Sequence, residues 1–215
     1  MRYRTLKITG TATLLALFGA GAASAGDVSL ALDGGYFVMS NARKSAKAVF
    51  GGSGGGLTGG ASVTFGLGRS FFVGAGGRYF QKTGERVFVE NATGPVFRLG
   101  HPLKVRTIPV YGLVGFRFSP DKTLVPYVTG GAGITSYKEE STVAGLTETN
   151  SQSKFSGMLA VGADYGRGPV RFGAEINYSL VPNTIGLGGV SAVYGETDVG
   201  GFSILGRIVV GSSRP

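Results

Sequence analysis

The stretch Val170-Arg171-Phe172-Gly173-Ala174-Glu175-Ile176-Asn177-Tyr178-Ser179-Leu180 decides how this chain is read. Val170, Phe172, Ala174, Ile176, Tyr178 and Leu180 are apolar or aromatic, whereas the interleaved Arg171, Gly173, Glu175, Asn177 and Ser179 are small, polar or charged. Successive side chains of an extended backbone point to opposite faces, so this period of two predicts a strand with one greasy face. Residues 202–210 repeat the pattern, with Phe202, Ile204, Ile208 and Val210 against Ser203 and Arg207. Residues 106–118 set Ile108, Val110, Val114, Phe116 and Phe118 against Thr107, Tyr111 and Arg117. Further candidates at 28–40, 57–67, 72–83, 124–137 and 155–165 bring the expected strands to about eight, an even number.

After the first strand, the connections alternate between long and short. The short ones at 68–70, 119–122 and 166–169 are built from Gly, Pro, Ser, Asp, Arg and Lys, the first four of which are turn formers. The long ones cover 41–56, 84–103, 138–153 and 181–199. A barrel standing in a membrane has this asymmetry, with tight turns at one end and long loops at the other.

Composition agrees. The chain has 40 Gly, 14 Phe and 9 Tyr, no Trp and no Cys, and only 15% charged residues. Its mean hydropathy is +0.19. Soluble domains carry about 7% Gly and about 25% charged residues, so this chain is too apolar for an ordinary one. Yet past residue 25 no run approaches the roughly 20 apolar residues of a spanning helix. A closed barrel reconciles the two, because its strands need only about 9 to 11 residues with alternate ones facing lipid. Without Cys there are no disulfides and no thiolate metal sites.

The N-terminus reads as an export signal. Arg2, Arg4 and Lys7 precede the apolar run from Ala12 to Phe18, and the small triplet Ala23-Ser24-Ala25 follows. The expected organisation is a signal peptide at 1–25, cleaved before Gly26, and one barrel domain at 26–215. The formal net charge is +9; removing the three signal cations leaves the mature chain at +6. Its bases are scattered rather than gathered on one helix or stripe, so the expected anionic partner is lipid headgroups and not nucleic acid.

Three segments resemble small eight-stranded outer-membrane barrels of the OmpA/OmpX type: Ile108-Pro109-Val110-Tyr111-Gly112, Val125-Pro126-Tyr127-Val128-Thr129-Gly130-Gly131-Ala132-Gly133, and Ala160-Val161-Gly162-Ala163-Asp164-Tyr165. The resemblance spans the mature chain and implies an all-β, antiparallel, up-and-down transmembrane barrel in the outer membrane. It also implies a monomer handled by periplasmic chaperones and the barrel insertion machinery. Members often end on an aromatic residue, whereas this chain ends Val209-Val210-Gly211-Ser212-Ser213-Arg214-Pro215, which leaves Ile208 and Val210 as the expected recognition signal.

A charge facing the bilayer midplane costs about 2 to 4 kcal/mol, so charges within strands should face the lumen. The residues concerned are Asp33, Arg78, Arg117, Asp164, Arg171, Glu175 and Arg207, three acids and four bases able to form an ion-pair network. Their same-face neighbours are mostly Gly, Ala, Ser and Thr, as a narrow filled barrel requires. Tyr36, Phe37, Phe65, Phe71, Phe72, Phe118, Tyr127, Tyr137, Tyr165 and Phe202 are expected to form aromatic girdles at the membrane edges. In the first long loop Arg43, Lys44 and Lys47 have no acid to balance them and are candidate contacts for lipopolysaccharide.

No cofactor or metal site is expected. His101 is the only histidine, and it lies in an expected loop without the His-x-Ser pattern of barrel lipid A deacylases; Glu90 and Ser141 are its only candidate partners. The expectation is a non-enzymatic barrel with a structural or interaction role, a filled lumen and exposed loops. The first alternative is a narrow conduit or binding protein for small apolar molecules, motivated by Ile185, Leu187, Val190, Val193 and Tyr194 in the last loop. A barrel-rim hydrolase acting on lipid is the second.

Overall fold

A computed structural model describes residues 27–143 and 145–211. The expected signal peptide, its cleavage point and the last four residues lie outside them. Eight strands follow one another around a closed ring: β1 (Val28–Val38), β2 (Gly55–Leu67), β3 (Phe71–Val89), β4 (Val96–Arg117), β5 (Leu124–Val143), β6 (Leu146–Tyr165), β7 (Val170–Leu180) and β8 (Gly201–Gly211). Every neighbouring pair is antiparallel, and β1 closes against β8 from Ser29↔Gly211 to Val38↔Phe202. Closure leaves no open sheet edge, the condition for placing strands in hydrocarbon.

The wall follows the period of two. Leu30, Leu32, Val110, Val114, Ile134, Leu159, Val161, Phe172, Ile176, Ile204, Ile208 and Val210 are exposed on the outer surface. From Phe118, just past the end of β4, back to Ile108, ten steps cover about 33 Å of chain, or about 25 Å of height at a tilt near 40°. Tyr165 to Phe155 on β6 and Val170 to Leu180 on β7 span the same ten steps. The outer surface is therefore an apolar band as tall as a bilayer core requires. Phe65, Phe71, Phe116, Phe118, Tyr165 and Phe172 ring the short-turn end on outward positions, and Tyr36, Tyr79, Phe155 and Phe202 the other. Of the aromatics expected in girdles, Phe37, Phe72, Tyr127 and Tyr137 turn inward instead and are buried.

Two long connections differ from the expected loops. Residues 84–89 and 96–103 continue β3 and β4, and most of 138–153 continues β5 and β6 in register to Val143↔Leu146. Beyond the lipid band both faces of a hairpin meet water, so Leu146-Thr147-Glu148-Thr149-Asn150-Ser151 shows no alternation and signals no strand. The other two long connections contain helices, α1 (Arg43–Phe50) and α2 (Gly189–Tyr194). Helix α1 buries Ser45, Ala46 and Ala48 and ends at Gly51, whose left-handed φ of 69° lets its N–H return to Lys47 O at 3.0 Å.

Candidate functional site

The lumen is filled in storeys. Midway up the barrel, the guanidinium of Arg78 on β3 donates from Nε to Asp33 Oδ1 at 3.0 Å and from Nη2 to Glu175 Oε1 at 2.6 Å. Arg207 on β8 donates from Nη1 to Glu175 Oε2 at 2.9 Å, and the Tyr127 hydroxyl donates to that same oxygen at 2.8 Å. Arg207 also donates to the Tyr127 hydroxyl, with its guanidinium 4.9 Å from the ring centroid. One carboxylate, Glu175, thus joins β3, β5, β7 and β8 across the barrel.

Small residues make this possible. A Cβ on Gly162 would lie 2.4 Å from the Tyr127 hydroxyl, and one on Gly60 would lie 2.6 Å from Arg78 Cγ. The large lumen side chains occupy the space those glycines leave.

Of the seven charged residues expected in the lumen, Asp33, Arg78, Glu175 and Arg207 form this cluster. Arg117 and Asp164 border the same narrow cavity of about 50 Å³. Arg117 lies 4.5 Å from the Phe72 ring centroid and donates to Thr64 Oγ1 at 3.4 Å. Arg171 is buried and donates to Ser29 Oγ at 3.2 Å. Tyr127 is the member that sequence reasoning missed. Its parity with Val125 and Thr129, against outward Leu124 and Val128, is the signal that places it inside.

Toward the long-loop end the lining turns apolar. Phe37, Met39, Ala46, Phe80, Val105, Tyr137, Val181 and Val199 form one buried cluster, with Phe50, Leu103 and Ile185 packed on it. The rings of Phe37 and Phe80 meet edge to face at 4.9 Å. Burying side chains inside a barrel mouth stabilises them at about 25 cal/mol per Å². It also excludes water from the strand ends.

Above this layer opens a cup of about 560 Å³. Its apolar wall includes Val49, Phe50, Val87, Leu103, Ile185 and Leu187, and its polar wall includes Arg86, Glu139, Glu148 and Gln152. Helices α1 and α2 flank it, and one carboxylate ties α1 to the segment just after α2. Glu196 accepts the backbone N–H of Lys44 on Oε1 and that of Ser45 on Oε2, both at 2.8 Å. The first-turn donors of α1 thereby gain a partner from the far end of the sequence, and the negative charge suits the positive end of the helix. Two hydroxyls on the cup wall, Ser45 Oγ and Ser141 Oγ, are buried without a hydrogen-bond partner.

Arg43, Lys44 and Lys47 are exposed on the solvent side of α1 at this mouth. His101 lies in the outer half of β4, with Glu90 just past the end of β3 and Ser141 inside β5. No hydrogen bond among the described residues joins the three.

No family model matches the chain, and no curated protein matches it by sequence. Solved structures do match it. Neisserial surface protein A aligns over 86% of this chain and 96% of its own, at 13% identity and a TM-score of 0.52. A major outer membrane protein from Thermus thermophilus aligns over 87% of this chain and 99% of its own, at 12% identity and the same TM-score of 0.52. The fold is that of a small eight-stranded outer-membrane β-barrel. In such a barrel the bilayer needs a continuous apolar outer band, and the charged lumen cluster is sheltered from it by the wall.

Proposed function

We propose that this chain is an outer-membrane β-barrel of Gram-negative type with a structural or interaction role and a lumen closed to solutes. The carrying observation is the stacking of the Glu175-centred ion-pair layer beneath the apolar layer of Phe37, Phe80, Val105 and Tyr137. A hydrated ion would have to break the first and dehydrate in the second. In this reading residues 1–25 are removed before Gly26 on export. Periplasmic chaperones and the insertion machinery then deliver a monomer, and Arg43, Lys44 and Lys47 meet lipopolysaccharide at the long-loop end. The test is single-channel recording in planar bilayers. The expected result is no stepwise conductance, and reproducible steps from purified, folded protein would contradict it.

A second reading is favoured by the cup. Ligand sites are commonly cavities of about 300 to 1,000 Å³, mostly apolar with a few polar groups, and this one fits that description. The cup would bind a small apolar molecule without passing it on. Wild type should bind an environment-sensitive apolar naphthylamine dye, and Leu103→Glu should abolish the fluorescence gain. Equal gains in both proteins would remove this reading.

A further inference from the structure

The outward surface of the wall is uncharged through the apolar band, and its charges begin abruptly in one sector. On β4 the outward positions above Ile108 are Arg106 and Lys104, and on β5 those above Ile134 and Ser136 are Lys138 and Glu140. The register sets Arg106 directly opposite Lys138 and Lys104 directly opposite Glu140. Three bases and one acid thus share a patch two strands wide.

Like charges placed directly opposite on neighbouring strands are destabilising. Lys138 Nζ hydrogen-bonds Glu140, yet Lys104 and Arg106 form no ion pair among the described residues. Glu140 is held below the ordinary carboxylate range, mainly by its bond from Lys138, with Lys104 and Arg106 adding to the effect. The patch therefore keeps a net positive charge.

Its height is specific. One two-residue step, about 7 Å of strand, separates Arg106 from Ile108 at the top of the apolar band. Tyr79 on β3 and Phe155 on β6, both outward-facing girdle aromatics, flank the sector. At the top of the band β1, β2, β7 and β8 carry Tyr36, Leu57, Leu180 and Phe202, and the outward positions one step further on β1 and β2 are Val38 and Gly55, none of them charged. A cation just beyond a lipid-facing band meets the headgroup layer. There a guanidinium can hold a phosphate through two hydrogen bonds, and ammonium groups supply point charges beside it.

We propose that Lys104, Arg106 and Lys138, on the outward face of β4 and β5, hold the phosphorylated headgroup of an outer-leaflet lipid of the lipopolysaccharide class. This site rests on the outer-membrane reading given above and is separate from the cations of α1. The bound phosphates offset the Arg106–Lys138 repulsion, so lipid and barrel stabilise each other at this sector.

The experiment compares wild type, K104Q/R106Q/K138Q, R106Q alone and R43Q/K44Q/K47Q in bilayer nanodiscs doped with lipopolysaccharide. The readout is lipopolysaccharide retained per barrel after repurification. Parallel arms use lipopolysaccharide stripped of its lipid A phosphates and a wash with inorganic phosphate. Near an anionic surface each such cation contributes roughly fivefold, so the sector triple should retain on the order of a hundredfold less and R106Q roughly fivefold less. Dephosphorylated lipid should be lost equally from wild type and triple, and inorganic phosphate should not displace the intact lipid. Equal retention by wild type and the sector triple would overturn the site, as would loss confined to R43Q/K44Q/K47Q or indifference to lipid phosphate. Heat-shifted gel mobility of every variant is scored alongside. If wild type itself shows none, the membrane reading fails and the site falls with it.

Discussion

Glu175 accepts from Arg78, Arg207 and Tyr127 while only 6% exposed, so its loss leaves the half-buried Arg207 without a carboxylate partner and Arg78 with Asp33 alone. Breaking a buried pair from one side costs about 3 to 5 kcal/mol. Glu175→Ala should therefore lower the urea midpoint of the detergent-folded protein by an amount in that range, whereas Ser136→Ala on the outer wall should change it little. Equal midpoints would mean that the lumen cluster does not stabilise the barrel. One residue further along β7 the wall is tested from outside. Ile176 is 51% exposed in the apolar band, whereas Ser179 bonds Gly201 on the lumen side. Ile176→Arg should cost about 2 to 4 kcal/mol of insertion into vesicles, and Ser179→Ala much less. The reverse ranking would invert the two faces. These faces were legible in the sequence because each lumen charge has an apolar or aromatic residue on at least one side. Tyr127 was not, since an aromatic residue near a strand end suits either a girdle or the lumen, and only parity along β5 separates them.

The strands were legible where one face meets lipid and lost where both meet water. Residues 84–103 and 138–153 carry no alternation, so nothing in the period of the sequence announces the rise of the β3–β4 and β5–β6 hairpins above the band. Helix α1 was hidden for a related reason. Eight residues with no acid in the first turn form a weak helix by themselves, and its cap, Glu196, lies more than 150 positions away. The cup is likewise a tertiary product of segments distant in sequence. The β3–β4 hairpin makes a prediction about pH. Glu85 accepts from Arg98 Nη1 at 3.0 Å and from the Gly100 N–H at 2.7 Å, and these bonds hold its carboxyl below the ordinary range. A group whose folded pKa is depressed stabilises the folded hairpin above the unfolded value, and that contribution is lost as pH falls through the folded one. Amide exchange at Gly100, corrected for its intrinsic pH dependence, should lose protection as pH drops below the ordinary carboxylate pKa. In Glu85→Gln the protection should be lower and flat with pH. A wild-type profile that is flat over the same interval would contradict the role given to Glu85.

At the scale of the whole molecule, a glycine-rich, low-charge chain without Cys or a spanning helix becomes a closed wall with its charges inside and its band of Leu, Val, Ile and Phe outside. Strand count, order and direction could be anticipated, because loop lengths and the period of two constrain them jointly. What fills the outer mouth could not, because it depends on α1 and α2 packing over Phe37, Phe80 and Tyr137. The central claim is that the eight strands close into a membrane-type barrel with no free edge. It is tested most directly by electrophoresis of the lipid-folded protein in SDS with and without boiling. A closed barrel should resist the detergent at room temperature and run at a different mobility until boiled. Identical mobility before and after boiling, from protein that circular dichroism shows to be folded, would contradict the account.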